Sequence, residues 1–281
     1  MTTLPTLVST EWLAAHLGES DLCVVDATWY LPSLKRDAGA EYLTAHVPGA
    51  VYFDIDAIKD TNNPLPHMLP TADGFAAAVS RLGIRDGDRV VVYGQKYLIA
   101  SARVWWSFRV FGHDRVAVLD GGFPKWKAES RPAEAGTVTP APGRFTARFQ
   151  PELVRDLARM RANVDSRREQ VADARSEGRF VGTEPEPRAG LRSGHIPGSV
   201  CLPYDRLFRR DDGTLLPPAA LRDVFDKAGV DPGRPVVTTC GSGVSAAVLA
   251  LGLHVQGLTD VPVYDGSWTE WGGSRDTPIE I

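Results

Sequence analysis

The sequence predicts an α/β protein built from two copies of one domain, each a mostly parallel sheet covered by helices on both faces. Two observations predict it. Short markers recur in register at a domain-sized interval, and within each copy apolar, β-branched runs alternate with helical segments.

The markers keep one order and nearly one offset. His46-Val47-Pro48-Gly49-Ala50 returns as His195-Ile196-Pro197-Gly198-Ser199, 149 positions later, and Leu69-Pro70 as Leu216-Pro217, 147 later. Leu82-Gly83-Ile84 returns as Ala228-Gly229-Val230 after 146 positions. Asp120-Gly121 with Trp126 returns as Asp265-Gly266 with Trp271 after 145.

In chain order, Leu22–Asp26 is a continuous apolar run that reads as a buried strand, and Phe75–Leu82 as a helix stopped by Gly83. Val90–Tyr93 reads as a strand, Ala102–Phe111 as a helix and Val116–Leu119 as a strand. Lys127–Gln150 is rich in Pro, Ala and Gly and lacks periodicity until Arg144–Phe149, so it reads as a linker. The second copy gives a helix over 221–228, a strand at Val236–Thr239, a helix over 245–253 and a strand at Val261–Tyr264. The expected organisation is one domain over 1–135, a linker over 136–150 and a second domain over 151–281.

Composition bounds the function. The chain has 281 residues, 43% of them hydrophobic and 23% charged, which suits an ordinary globular protein. Its net charge of −4 gives no basic excess to displace counterions from phosphates, so nucleic acid is not an expected partner. The start, MTTLPTLVSTEW, lacks a basic n-region, and the longest apolar run, Ala246–Leu253, is far shorter than the ~20 residues of a membrane span. Three dispersed cysteines form no disulfide framework and suit a reducing compartment. A cytoplasmic protein with no membrane partner is expected. No C-x-x-C pair and no histidines at i, i+3 or i, i+4 suggest a metal site.

Cys240 carries the chemistry. It follows the strand Pro235–Thr239 and precedes Gly241-Ser242-Gly243-Val244-Ser245 and an apolar helix. Glycines let such a loop turn its amides inward beside the positive end of the helix, which stabilises a thiolate. A buried packing cysteine is the alternative, and it fits Cys23 (in DLCVV) and Cys201 (in SVCLP) better. A cysteine phosphatase would need an arginine six residues after the nucleophile, where Ala246 stands.

These residues resemble the active-site loop of the 3-mercaptopyruvate sulfurtransferases, within the tandem rhodanese-domain family. Gly178-Arg179-Phe180, Gly182–Arg188 (GTEPEPR), Ser193–Gly198 and Tyr264–Trp268 (YDGSW) with Glu270-Trp271 support the match. So do Phe53–Asp56, His67–Pro70 and Arg103–Trp106 in the first half.

The resemblance implies two tandem rhodanese-like domains, an inactive one over 1–135 and a catalytic one over 151–281. It implies that the Cys240 loop (Gly241, Gly243, Val244 and Ser245) holds the substrate together with Arg179 and Arg188, which grip its carboxylate and keto oxygens. It further implies that Ser242 relays a proton, with Asp56 and His67 near it. His46 and His195 read as turn residues, since both copies carry them. Ser245 stands where the family usually has Thr, and Gly94, opposite Cys240 in the repeat, where the first domain commonly has Asp. Gln95–Ile99 also departs from the family pattern.

The expected reaction moves sulfur from 3-mercaptopyruvate to thioredoxin, a low-molecular-weight thiol or cyanide through a Cys240 persulfide, with no cofactor. One rival is a thiosulfate sulfurtransferase, whose loop is expected to carry cations where Gly241 and Ser242 stand. The other is a non-catalytic sulfur-carrier module.

Overall fold

A computed structural model describes residues 4–95 and 98–281. Two five-stranded, all-parallel sheets form, with strand orders β1-β5-β4-β2-β3 and β6-β10-β9-β7-β8. The strands of the first are β1 Leu7–Val8, β2 Leu22–Asp26, β3 Val51–Tyr52, β4 Arg89–Tyr93 and β5 Val116–Leu119. Those of the second are β6 Val154–Arg155, β7 Gln170–Asp173, β8 Val200–Cys201, β9 Val236–Thr239 and β10 Val263–Tyr264. The second order is the first with every label raised by five, so the repeated markers reflect a repeated fold.

The chain divides into two compact units. The first comprises Met1–Thr61, Leu69–Gln150 and Phe208–Leu215; the second comprises Asn62–Met68, Pro151–Leu207 and Leu216–Ile281. The segments that join the other half's unit end just before Leu69-Pro70 and Leu216-Pro217, equivalent points of the repeat. Residues 136–150 carry no helix or strand, yet they run along the first unit. Gly143 N–H donates to Ser80 O at 2.7 Å, Gln150 N–H to Val110 O at 2.7 Å, and Phe145 is buried against Phe75 and Phe108.

Each central strand feeds a helix buried along nearly its whole length. Ile99–Val110 (α4 in chain order) follows β4 and buries Ser101, Arg103 and Ser107 among its apolar residues; Ala246–Val255 (α9) follows β9 and is apolar all round, as a buried helix can be. In the first unit Val24, Val91, Ala117 and Trp126 share a core, and in the second Val171, Val237, Tyr264, Trp268 and Trp271 do.

Helix starts differ from the sequence expectation where caps, not apolar periodicity, set them. Helix Ala72–Arg81 begins before Phe75 because the Thr71 side chain accepts from Gly74 N–H at 3.1 Å. Helix Pro218–Lys227 begins at a proline, whose missing N–H is harmless in a first turn. Strand β10 is shorter than expected and excludes Val261 and Pro262. Among the described residues no helix is long and apolar enough to cross a membrane. Of the divergent stretch Gln95–Ile99, Lys96 and Tyr97 lie outside the described residues.

His46 and His195 occupy matching structural positions. His46 Nδ1 bonds Tyr42 O at 2.8 Å and its ring stacks on Tyr42; His195 Nδ1 bonds Phe180 O at 2.9 Å and stacks on Phe180. Their backbones pair with Glu134 and Glu280, whose carboxylates accept from Gly49 and Gly198 N–H.

Candidate active site

Strand β9 is buried at all four residues and delivers Cys240, 2% exposed, to the C-terminal end of the second sheet. Open α/β sheets place ligands at that end. Helix α9 starts at Ala246, so residues 240–245 must turn the chain, and Gly243 does so at φ +73°.

Asp265-Gly266-Ser267-Trp268-Thr269 fixes the loop. Cys240 N–H and Gly243 N–H donate to Ser267 Oγ at 3.2 and 3.0 Å, and Ser267 Oγ donates to Tyr264 O at 2.7 Å. Trp268 N–H donates to Cys240 O and Thr269 N–H to Gly241 O, both at 2.9 Å. The Thr269 hydroxyl donates to Gly241 O as well, at 2.6 Å. Two amides of the expected anion-binding loop are thus committed to a side chain. Among the described residues, no protein acceptor takes those of Gly241, Ser242, Val244 and Ser245. Loop amides without a protein acceptor can stabilise a sulfur anion.

Arg179 lies in the short helix Glu177–Phe180 (α7), against the loop. A Cβ at Gly241 would sit 2.9 Å from Arg179 Nη2, so glycine there lets the guanidinium approach the backbone. Arg179 is itself held: Nη2 donates to Glu186 Oε2 at 2.6 Å and Nε to Glu186 Oε1 at 3.2 Å. The Glu186 side chain is 3% exposed, and Arg175 Nη1 donates to its Oε1 at 2.8 Å. Arg175 is fully buried, forks onto Asp173, donates to Gly194 O and lies 4.2 Å from the Trp268 ring centroid. Its charge is balanced by two carboxylates and a π face, which a buried cation requires.

Arg175, Glu186 and Ser267 were not singled out in the sequence. Glu186 lies in the GTEPEPR stretch, between Arg179 and Arg188, and Ser267 lies in the YDGSW stretch where the first copy has Gly122; neither stretch tells what the side chain holds.

Ser242 is buried (6% exposed) within the loop. Arg188 is half-buried in the turn-rich segment after α7. His67 is buried, has φ +59°, and lies in the segment 62–68 that groups with the second unit. Asp56 is exposed in the first unit, where its carboxylate accepts from Trp29 Nε1 at 2.7 Å.

The other two cysteines are poor nucleophiles. Burial, aided by Asp88, pushes the Cys23 thiol up to about 12. Burial, aided by Asp173 and Glu177, pushes Cys201 up to about 11. Both stay protonated near neutrality, and a thiol is a weak nucleophile beside a thiolate. Among the described residues no group of three or more His, Cys, Asp or Glu could hold a metal ion.

Comparison with known proteins shows the family. The rhodanese-like domain family matches residues 9–129 and 156–274. Thiosulfate/3-mercaptopyruvate sulfurtransferase 1, mitochondrial, of Arabidopsis thaliana is 46% identical over 98% of this chain and 78% of that protein. The 3-mercaptopyruvate sulfurtransferase of Homo sapiens is 45% identical over 94% of this chain and 91% of that protein. The crystal structure of SseA from Escherichia coli, from work on 3-mercaptopyruvate sulfotransferases, superposes with a TM-score of 0.86 at 37% identity. It covers 95% of this chain and 99% of that one.

Proposed function

The chain belongs to the rhodanese-like domain family, as a tandem-domain sulfurtransferase; on that premise we propose that Cys240 takes the sulfur of 3-mercaptopyruvate and passes it to a thiol or to cyanide. The observation that carries the reading is the pairing of Cys240, on its bracketed loop, with the Arg179 guanidinium laid against Gly241.

In this reading the Cys240 thiolate attacks the substrate sulfur, and the carbon–sulfur bond breaks. Its electron pair leaves on the pyruvate enolate, whose oxygens face Arg179 and Arg188. Protonation at carbon through Ser242, with His67 and Asp56 assisting, gives pyruvate. Cys240 is left as a persulfide, whose negative charge the loop amides stabilise. An acceptor thiolate then attacks the outer sulfur, leaves with it as a persulfide and returns the Cys240 thiolate, a ping-pong cycle. Cyanide would leave as thiocyanate. Thioredoxin and low-molecular-weight thiols are the proposed acceptors, and the cytoplasm the proposed site of action. The inactive domain is the first and the catalytic domain the second.

The loop favours mercaptopyruvate over dianionic thiosulfate, because Gly241 and Ser242 bring no charge and Arg179 is already half-neutralised by Glu186. Incubation with each donor, with pyruvate and sulfite assayed separately, tests the choice. Pyruvate release with the higher kcat/KM supports it; faster sulfite release makes the protein a thiosulfate enzyme; no turnover with either leaves a sulfur carrier.

A further inference from the structure

The two units share one backbone clasp, and the second has added a side chain to it. In the first unit Phe123 N–H donates to Gly94 O at 3.0 Å; in the second, Trp268 N–H donates to Cys240 O at 2.9 Å. Gly94 and Cys240 are equivalent strand ends, and Gly122 and Ser267 are equivalent residues just before the clasp. Both adopt a left-handed backbone, φ +59° at Gly122 and +49° at Ser267. In the first unit a Cβ at this point would run into Gly94 O. The second unit carries a serine at the equivalent point while keeping the same backbone hydrogen bond.

That serine is costly in two ways. A non-glycine residue at positive φ is strained, and a fully buried hydroxyl must be hydrogen-bonded. Strain retained beside a reactive group is a pointer to function. The hydroxyl is satisfied: it accepts from Cys240 N–H and Gly243 N–H, three residues apart in the loop, and donates to Tyr264 O. Thr239 Oγ1 stands 3.4 Å away. One buried oxygen thus ties the nucleophile's own amide to the glycine that turns the loop.

We infer that Ser267 is a positioning residue for the persulfide-forming step. It acts through Cys240 and Gly243 by holding the loop curled, so that the amides not bound to protein meet the sulfur anion already oriented. The inference rests on Cys240 being the sulfur-carrying nucleophile. Preorganised donors stabilise an anion more than donors that must reorient as charge appears. Loss of the hydroxyl removes the acceptor shared by two loop amides and slackens the loop, so the thiolate loses stabilisation. The first unit, with Gly94 and Gly122 at these points, has neither nucleophile nor tie.

The test uses the full chain carrying Cys23→Ser and Cys201→Ser, so that Cys240 is the one thiol. Ser267→Gly and Ser267→Ala are compared with this parent. Glycine relieves the φ strain and alanine keeps it, so the two differ in stability while both lack the hydroxyl. Iodoacetamide alkylation against pH and steady-state pyruvate release are measured, with melting temperature as the fold control. In both variants the alkylation profile is expected to move up by about one pH unit, with kcat reduced about tenfold and KM changed far less. An alkylation profile unchanged in either variant, or losses that follow melting temperature instead of the hydroxyl, would overturn the inference. If the parent forms no persulfide on Cys240, the underlying reading fails instead; if the parent does and both variants match it, only the role of Ser267 fails.

Discussion

Arg179 meets Glu186 edge to edge, Nη2 donating to Oε2 at 2.6 Å and Nε to Oε1 at 3.2 Å. One edge of the proposed substrate-binding guanidinium is therefore occupied by protein, and the carboxylate that occupies it is anchored in turn by buried Arg175. Arg179 is a preset group whose other edge meets no acceptor among the described residues, not a mobile surface fork. Held donors lose little entropy when an anion arrives.

Arg179→Lys should then fail for two reasons: an ammonium cannot fork onto Glu186, and it cannot present the remaining edge. The expected cost is about 1.5–3 kcal/mol, or roughly tenfold to a hundredfold in kcat/KM for mercaptopyruvate. Glu186→Gln should cost a similar factor with Arg179 intact, because positioning is lost. It should also lower stability by ~2 kcal/mol, since Arg175 keeps only Asp173 as a charged partner. Unchanged kinetics in a folded Glu186→Gln variant would return the pair to a purely structural role.

Gly241→Ala should raise KM about tenfold while leaving the fold intact. Its Cβ would lie 2.9 Å from Arg179 Nη2, so the guanidinium must shift. Steady-state kinetics check this. Gly241→Arg with Ser242→Lys should move the kcat/KM ratio toward thiosulfate; an unmoved ratio would show that loop charge does not select the donor.

Asp120 sets a pH dependence of stability. Burial, reinforced by Asp212 and opposed by the hydrogen bond from Leu215 N–H (2.8 Å) and by Lys125, raises its carboxyl to about 6. Protonated Asp120 costs the fold nothing, and ionised Asp120 does. Its contribution is therefore lost as pH rises from the unfolded value near 4 through about 6, by ~2–3 kcal/mol in all. Asp120→Asn keeps an acceptor for Leu215 without the charge. Urea unfolding should show the variant more stable than the parent at pH 8 and the difference gone at pH 4. A difference independent of pH would contradict this account of Asp120.

The long strands were legible because burial on both faces demands continuous β-branched runs; Leu22–Asp26, Val116–Leu119 and Val236–Thr239 have the expected bounds. The edge strands Leu7–Val8, Val51–Tyr52, Val154–Arg155 and Val200–Cys201 are two residues long and carry no period to read. The exchange of residues 62–68 and 208–215 between units is a matter of tertiary packing, which local pattern does not encode. Cys240 was legible because a strand, a glycine-rich turn and a helix form a local signature. Ser267 was not, since Asp-Gly-Ser reads as an ordinary turn; its meaning lies in what its hydroxyl touches 27 residues upstream.

In the proposed mechanism one thiol, Cys240, takes sulfur from mercaptopyruvate. Mixing the protein with 3-mercaptopyruvate in the absence of acceptor, then assaying pyruvate and mapping added sulfur by peptide mass spectrometry, tests it most directly. The prediction is a burst of pyruvate equal to the protein present and one extra sulfur on the Cys240 peptide, with neither seen in Cys240→Ser. Added sulfur on Cys201 or Cys23, or a burst that survives Cys240→Ser, would contradict it.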